Sequence, residues 1–514
     1  MLYLHPFPGL FPTLAALESN ACVAQLDRAS DYGSEGLGFE SLRVHQKPSI
    51  LGGFFYFLCT SKKLDMDDFR MSVLKLWIFT IAFAFMTCIK AQVVVDTLPF
   101  AISSIKKLSD EDLNNKKEGV YLTGIPDISV DPINGLGYGG EGSLFFNGKK
   151  SDPLFQYSPY KAELDIAIFN TTKNQRELMF VLDMPYIMRT PWRLRAEAGI
   201  ETNPNLLYFG GDNRSLNGLG LYPNNDSSQS RIQNMSYAKY ESLMNQMGLG
   251  MYNGYSKTEY ILNVSMERSF WESKMRALVG IEMAQINMTT SGPRNLLLDD
   301  VTKGLAYGLG KSNINFLQTG LIYDTRDLET DPSAGWFLEL TNELSLKGFG
   351  SRYNINKVYF HANGYFDLVK SHPRAMILAV RVAGGHTSKD APFFELQDQW
   401  SSEGSTEGLG GPNTLRGFKQ SRFLGRVMTF NTVEMRCRIA QFGLLKQHFA
   451  VSGVPFFDIG SVSDEMEGVL EKSNYRHSSG LGLRIAWNVN TILRFDYAMS
   501  KEDKQFFFNL GHAF

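Results

Sequence analysis

Two short stretches carry residues that could do chemistry together. Gly410–Phe418, GGPNTLRGF, is a Gly/Pro/Asn-rich loop that delivers one Arg and one Phe. Phe456–Gly460, FFDIG, sets a single Asp in an otherwise apolar run. An Arg at the tip of a long loop needs a buried acid to hold it, and Asp458 is the candidate. The guanidinium fork grips a carboxylate with two parallel bonds. A buried Asp458 left unpaired would cost on the order of a few kcal/mol. The competing reading is a surface loop with an unremarkable Arg.

Other chemistry finds little support. The chain has no G-x-S-x-G, no H-E-x-x-H, and eight scattered His. Gly137–Gly142 fits G-x-G-x-x-G, but Ser143–Phe146 stays strand-like where a helix would be needed, so it reads as strand glycine. Beyond residue 91 one cysteine is left, Cys437, which excludes an intramolecular disulfide and a cysteine metal cluster there. No metal site and no cofactor are expected. A net charge of −2 over 514 residues leaves no footprint for nucleic acid.

The elements that must position Arg416 and Asp458 alternate with period two. Val433, Met435, Cys437 and Ile439 oppose Glu434, Arg436 and Arg438. Leu481, Leu483 and Ile485 oppose Gly482, Arg484 and Ala486, and Leu493, Phe495 and Tyr497 oppose Arg494 and Asp496. In QFFFNLGHAF, Phe506, Phe508, Leu510, His512 and Phe514 share one face. Sixteen such segments are expected: 119–130, 136–147, 160–171, 175–186, 192–202, 257–270, 273–289, 315–326, 335–346, 355–369, 374–386, 425–439, 447–461, 478–490, 491–501 and 505–514. An outer-membrane barrel has an even strand number, short periplasmic turns and long outer loops. The long connections 203–256, 290–312, 387–424 and 462–477 all fall on one side, as that requires. Connection 148–159 is the worst fit.

The N-terminal part carries a targeting signal inside the chain. Met71 opens MSVLKLWIFTIAFAFMTCIKAQ, with Arg70 and Lys75 as the positive region and Leu76–Thr87 as the apolar core. Cleavage is expected near Ala91, although Ile89 is not small; a competing reading makes Cys88 a lipidated first residue. Val23–His45 resembles the peptide from a wrongly translated tRNA gene. The expected organisation is therefore a spurious or disordered extension over 1–70, a signal peptide over 71–91, a short periplasmic leader over 92–118 and a barrel over 119–514. The leader has room for a short helix around Ser109–Lys117.

In these motifs the chain resembles the BamA/TamA superfamily of outer-membrane assembly and translocation barrels (bacterial surface antigen type). Asp324, Arg326, Asp327, Pro332 and Gly335 match the turn between its eighth and ninth strands. Leu415–Phe418 matches its invaginated loop, and Phe456, Asp458 and Gly460 its thirteenth strand. The resemblance implies an all-β, 16-stranded antiparallel transmembrane β-barrel with a long inward-folded loop between strands 11 and 12. Arg416, Gly417 and Phe418 with Asp458 would form a structural latch. Glu434, Arg436, Arg438, Arg484, Arg494 and Asp496 would line the lumen, packing the loop or forming a polar conduit. Phe514 would serve as a C-terminal assembly signal. The leader is too short for the family's periplasmic polypeptide-transport-associated modules, which receive client proteins.

The function implied is insertion or transport of proteins, or of lipids, at the outer membrane. The alternative is a passive channel or structural barrel, and a surface enzyme ranks last. The partners implied are outer-membrane lipid, the barrel-assembly machinery for the chain's own insertion, and a separate periplasmic protein.

Overall fold

The computed structural model describes residues 97–131, 134–219, 235–369, 372, 374–445, 447–488 and 491–514. The expected extension 1–70 and signal peptide 71–91 lie outside the described residues.

Sixteen strands form one antiparallel sheet in chain order. They begin with β1 (Gly119–Asp131), β2 (Gly135–Gly148), β3 (Ala162–Thr171), β4 (Arg176–Met184), β5 (Trp192–Leu207) and β6 (Gly254–Phe270). β7 (Met275–Thr290), β8 (Gly310–Asp324), β9 (Gly335–Ser345), β10 (Ile355–Asp367) and β11 (Met376–Thr387) follow. A small hairpin, β12 (Asp398–Ser401) and β13 (Gly404–Glu407), lies in the connection to the twelfth barrel strand, β14 (Val427–Leu444). β15 (Gln447–Ser463), β16 (Arg476–Trp487), β17 (Thr491–Met499) and β18 (Lys504–Leu510) complete the wall. The fold is a 16-stranded antiparallel transmembrane β-barrel with a long loop folded inward between its eleventh and twelfth strands. β1 and β18 are the two edges of the sheet, and no ladder joins them among the described residues.

The faces follow from the alternation. Leu122, Ile281, Leu321, Leu481 and Phe506 are exposed on the outer face, while Glu434, Arg484, Arg494 and Asp496 are buried on the inner one. That is the order a lipid-facing barrel demands. Exposed Trp271, Trp336 and Phe442 mark the short-turn end as an aromatic girdle. The long connections share the opposite end, and by the geometry of such barrels the short-turn end is periplasmic.

Three sequence expectations need correction. Connection 149–161 is not a misplaced loop: its short 3-10 turn, Pro153–Gln156, is a docking surface for the leader, described below. Arg326 lies beyond the end of β8, in the turn. The last strand ends at Leu510, not Phe514. Gly511 turns with φ +76°, which side chains other than glycine rarely adopt, and sends the chain off the wall. The period-two pattern continues through His512 and Phe514 in sequence only.

Candidate functional site

The loop comes first, because its motif is the most specific. The stretch 388–426 runs down the lumen and back. Its return limb buries Leu409, Leu415, Phe418 and Phe423 against Tyr359, Ala383, Met428, Phe430 and Val462 of the wall. Phe418 stands edge-on to Phe423, with ring centroids 5.1 Å apart. Gly417 has φ +88°, and a Cβ there would lie 2.9 Å from the Met499 carbonyl carbon, so glycine alone permits this approach to β17.

This places Arg416 against Asp458. Nε donates to Oδ2 and Nη2 to Oδ1, both at 2.9 Å, and the Arg416 backbone N–H adds a third bond at 3.2 Å. Nη1 reaches Glu434 at 2.8 Å and Asp496 at 3.1 Å. The guanidinium also lies over the Phe456 ring, 3.4 Å from its centroid. Arg416 is 1% exposed and its three carboxylates 0%, so the cluster is sealed from water.

The expected lumen charges divide. Glu434 binds Arg416, Arg436 and Arg484, and Asp496 binds Arg416 and Arg484, with Arg494 Nε at 3.8 Å. Arg494 Nη2 donates to Asn413 of the loop at 2.8 Å. Arg438 stands apart: among the described residues it forms no ion pair, and it faces a separate recess. Phe514 lies inside the lumen, stacked on Tyr365 at 6.3 Å between Arg381 and Arg436.

The turn motif is a second hub. Asp327 caps the turn, its Oδ1 accepting from the N–H groups of Leu328, Ser333 and Ala334. Pro332 is buried within the turn, and Gly335 opens β9. Asp324, fully buried, is held by Arg326 Nε at 3.1 Å and Arg276 at 3.7 Å. Arg326 also binds Glu403, at the tip of the β12–β13 hairpin. The loop therefore spans the lumen, from the long-loop end to the short-turn end.

The leader meets the same hub from outside. Lys106 reaches Asp324 at 2.8 Å. The helix α1 (Asp110–Asn115), capped by Ser109, presents Asp112 to Arg374 of the β10–β11 turn with two bonds of 2.9 and 3.0 Å. Lys116 donates to the Phe155 and Ser158 carbonyls at 2.6 and 2.7 Å and lies over the Phe155 ring. The Ser103 N–H donates to the Glu272 carbonyl, and Phe100 packs on Tyr186. Five of the short turns are thus strapped by one segment.

Sequence reasoning missed Glu403, Lys106, Asp112, Arg374 and Lys116, which are single charges in patternless runs. It also missed Arg422, which binds Glu502 at 2.8 Å and the Ser215 carbonyl at 2.6 Å. A second Arg-Phe pair, Arg422-Phe423, six residues after Arg416, was the available signal.

The description "Omp85 superfamily domain" matches residues 169–514. The chain belongs to the Omp85 superfamily. Residues 98–161, which hold the leader and the first hairpin, match a domain of unknown function, DUF5982. Among solved structures, BamA from Haemophilus ducreyi lacking POTRA domains 1-3 is similar at 14% identity and TM-score 0.44, covering 77% of this chain and 70% of that one. CdiB from Escherichia coli is similar at 10% identity and TM-score 0.45, and CdiB from Acinetobacter baumannii at 12% and 0.43. This chain covers 62% and 60% of the two CdiB chains, which in turn cover 76% and 77% of it. Among curated proteins nothing matches. As an Omp85 barrel the chain is an outer-membrane protein of the insertion and translocation class.

Proposed function

We propose that this barrel aids insertion or transport of proteins, or of lipids, at the outer membrane, and that the structure is its closed resting state. The observation that carries the reading is the Omp85 match over residues 169–514, with β1 and β18 as the first and last strands that meet at the seam. A seam that opens exposes two strand edges, and an exposed edge is a template for strand addition. β2, next to the first edge, is rich in glycine, which packs little and loosens a strand. The Arg416–Asp458 contact acts as a structural latch that keeps the loop in the lumen, and Glu434, Arg436, Arg484, Arg494 and Asp496 pack around it. The leader supplies the periplasmic closure, and a separate periplasmic protein would deliver the client. Phe514 is in reach of the assembly machinery only before it tucks inward.

A passive pore needs an open lumen, and a loop packed into it and a leader strapped across its short-turn end argue against one. No enzymatic role is proposed. The test is a set of cysteine pairs across β1 and β18. Disulfide locking of the seam should abolish the barrel's envelope phenotype, with reductant restoring it. A locked barrel that works as well as the parent would remove the seam from the mechanism.

A further inference from the structure

Beside the latch, at the short-turn end, lies a small recess with space at its centre for a single water-sized particle. Its wall comprises Arg374, Arg436, Arg438 and Arg484, with Asp331 and His512. Four arginines thus line one small space, three of them already paired with a carboxylate elsewhere. Their known partners leave specific donors over. Arg436 spends Nε on Glu434 and Nη2 on the carboxyl group of Phe514, yet its buried Nη1 meets no acceptor among the described residues. Arg484 spends Nη1 and Nη2 on Asp496 and Glu434, and its buried Nε meets none. Arg438 Nε is buried and without an acceptor as well. Arg374 is committed to Asp112.

We propose that this recess binds one small monovalent inorganic anion of halide size, held by Arg436 Nη1, Arg438 Nε and Arg484 Nε. A buried N–H of a cation without an acceptor costs more than a neutral one, so an anion there has a large electrostatic reward. The carboxylates nearby offset part of that charge: Asp331 accepts from His512 Nε2 at 3.0 Å and also faces Arg374 and Arg436, Glu434 and Asp496 are held by Arg436 and Arg484, and the Phe514 carboxyl group meets Arg436, which leaves Arg438 as the recess guanidinium without an ion pair among the described residues. The remaining lining, Ile377, Ala450, Ser452, Ala486 and Ile492, is small or apolar and offers no competing charge. A tetrahedral oxyanion is larger than the space, and β14 to β17 wall it off from lipid headgroups. The site would tie β14, β16 and the segment after β18 together.

The full chain, purified in detergent in a gluconate buffer, tests this with chloride, bromide and phosphate added separately. Chloride and bromide should give saturable stabilisation at one site per chain. Arg438→Gln, which breaks no ion pair, should weaken that binding about tenfold while heat-modifiability stays as in the parent. Arg352→Gln, on the opposite end, should bind as the parent does. Crystals soaked in bromide should show one anomalous peak between Arg436, Arg438 and Arg484. Equal halide binding by Arg438→Gln, a saturable response to phosphate instead of halide, or a bromide peak elsewhere only would each overturn the proposal.

Discussion

The loop and the leader close the same lumen from opposite ends, and they are built differently. The loop is core-like: an Arg shared among three fully buried carboxylates, over a cluster of Leu and Phe. The leader is sewn on by separate stitches, each a single charged group against one turn, with Leu108 and Leu328 as its small apolar anchor. A network in which one Arg is shared among three carboxylates is costly to break because its loss leaves several partners unpaired at once, while the leader's contacts are spread over separate turns, so the loss of one leaves the others in place. The comparison teaches that the loop belongs to the fold and the leader is detachable from it.

The largest expected effect tests the loop. Arg416→Ala strands Asp458, Glu434 and Asp496 in a sealed site and should cost about 3–5 kcal/mol. The measurement is the urea midpoint of heat-modifiability, and a midpoint equal to the parent's would show that the loop is not core-like.

Acid acts next, and at the other end. Burial first, and then Arg436, hold the His512 ring down to a pKa of about 4 from 6.5. The unfolded chain therefore takes up the proton first as pH falls from 6.5 to 4, and stability drops across that window by on the order of 2–3 kcal/mol. Asp331, held low although buried because it accepts from His512, loses its contribution further down. Melting temperatures at pH 7 and pH 4.5 should converge in His512→Gln, and an unchanged acid response there would assign the loss to other groups.

Arg374→Ala should free α1 from the β10–β11 turn at about 1–2 kcal/mol, with the barrel intact. Protease cutting within 97–117 and planar-bilayer conductance should both rise. A leader as resistant as before would make its stitches redundant. Lys106→Gln should be the mildest change, about 1 kcal/mol or less, because Asp324 keeps Arg326 and Arg276. A loss as large as that of Arg416→Ala would erase the contrast between the two segments.

Much of this was legible in the sequence. Period-two alternation set the wall, since a strand has no other way to present Glu434 inward and Val433 outward. The loop motif could be read because Arg, Gly and Phe each meet a separate demand: charge, close approach and apolar packing. The leader could not be read, because Lys106, Asp112 and Lys116 gain meaning only from turns far away in the chain. Phe514 misled for a related reason. Gly511 suits a small-residue strand position as well as a turn, and alternation does not distinguish them.

Asp324 is one carboxylate with two claimants, Arg326 from the turn that grips the loop tip and Lys106 from the leader. One buried oxygen pair is thus the knot at which the leader, the turn and the β7 wall are tied, so a change at Asp324 reaches all three at once.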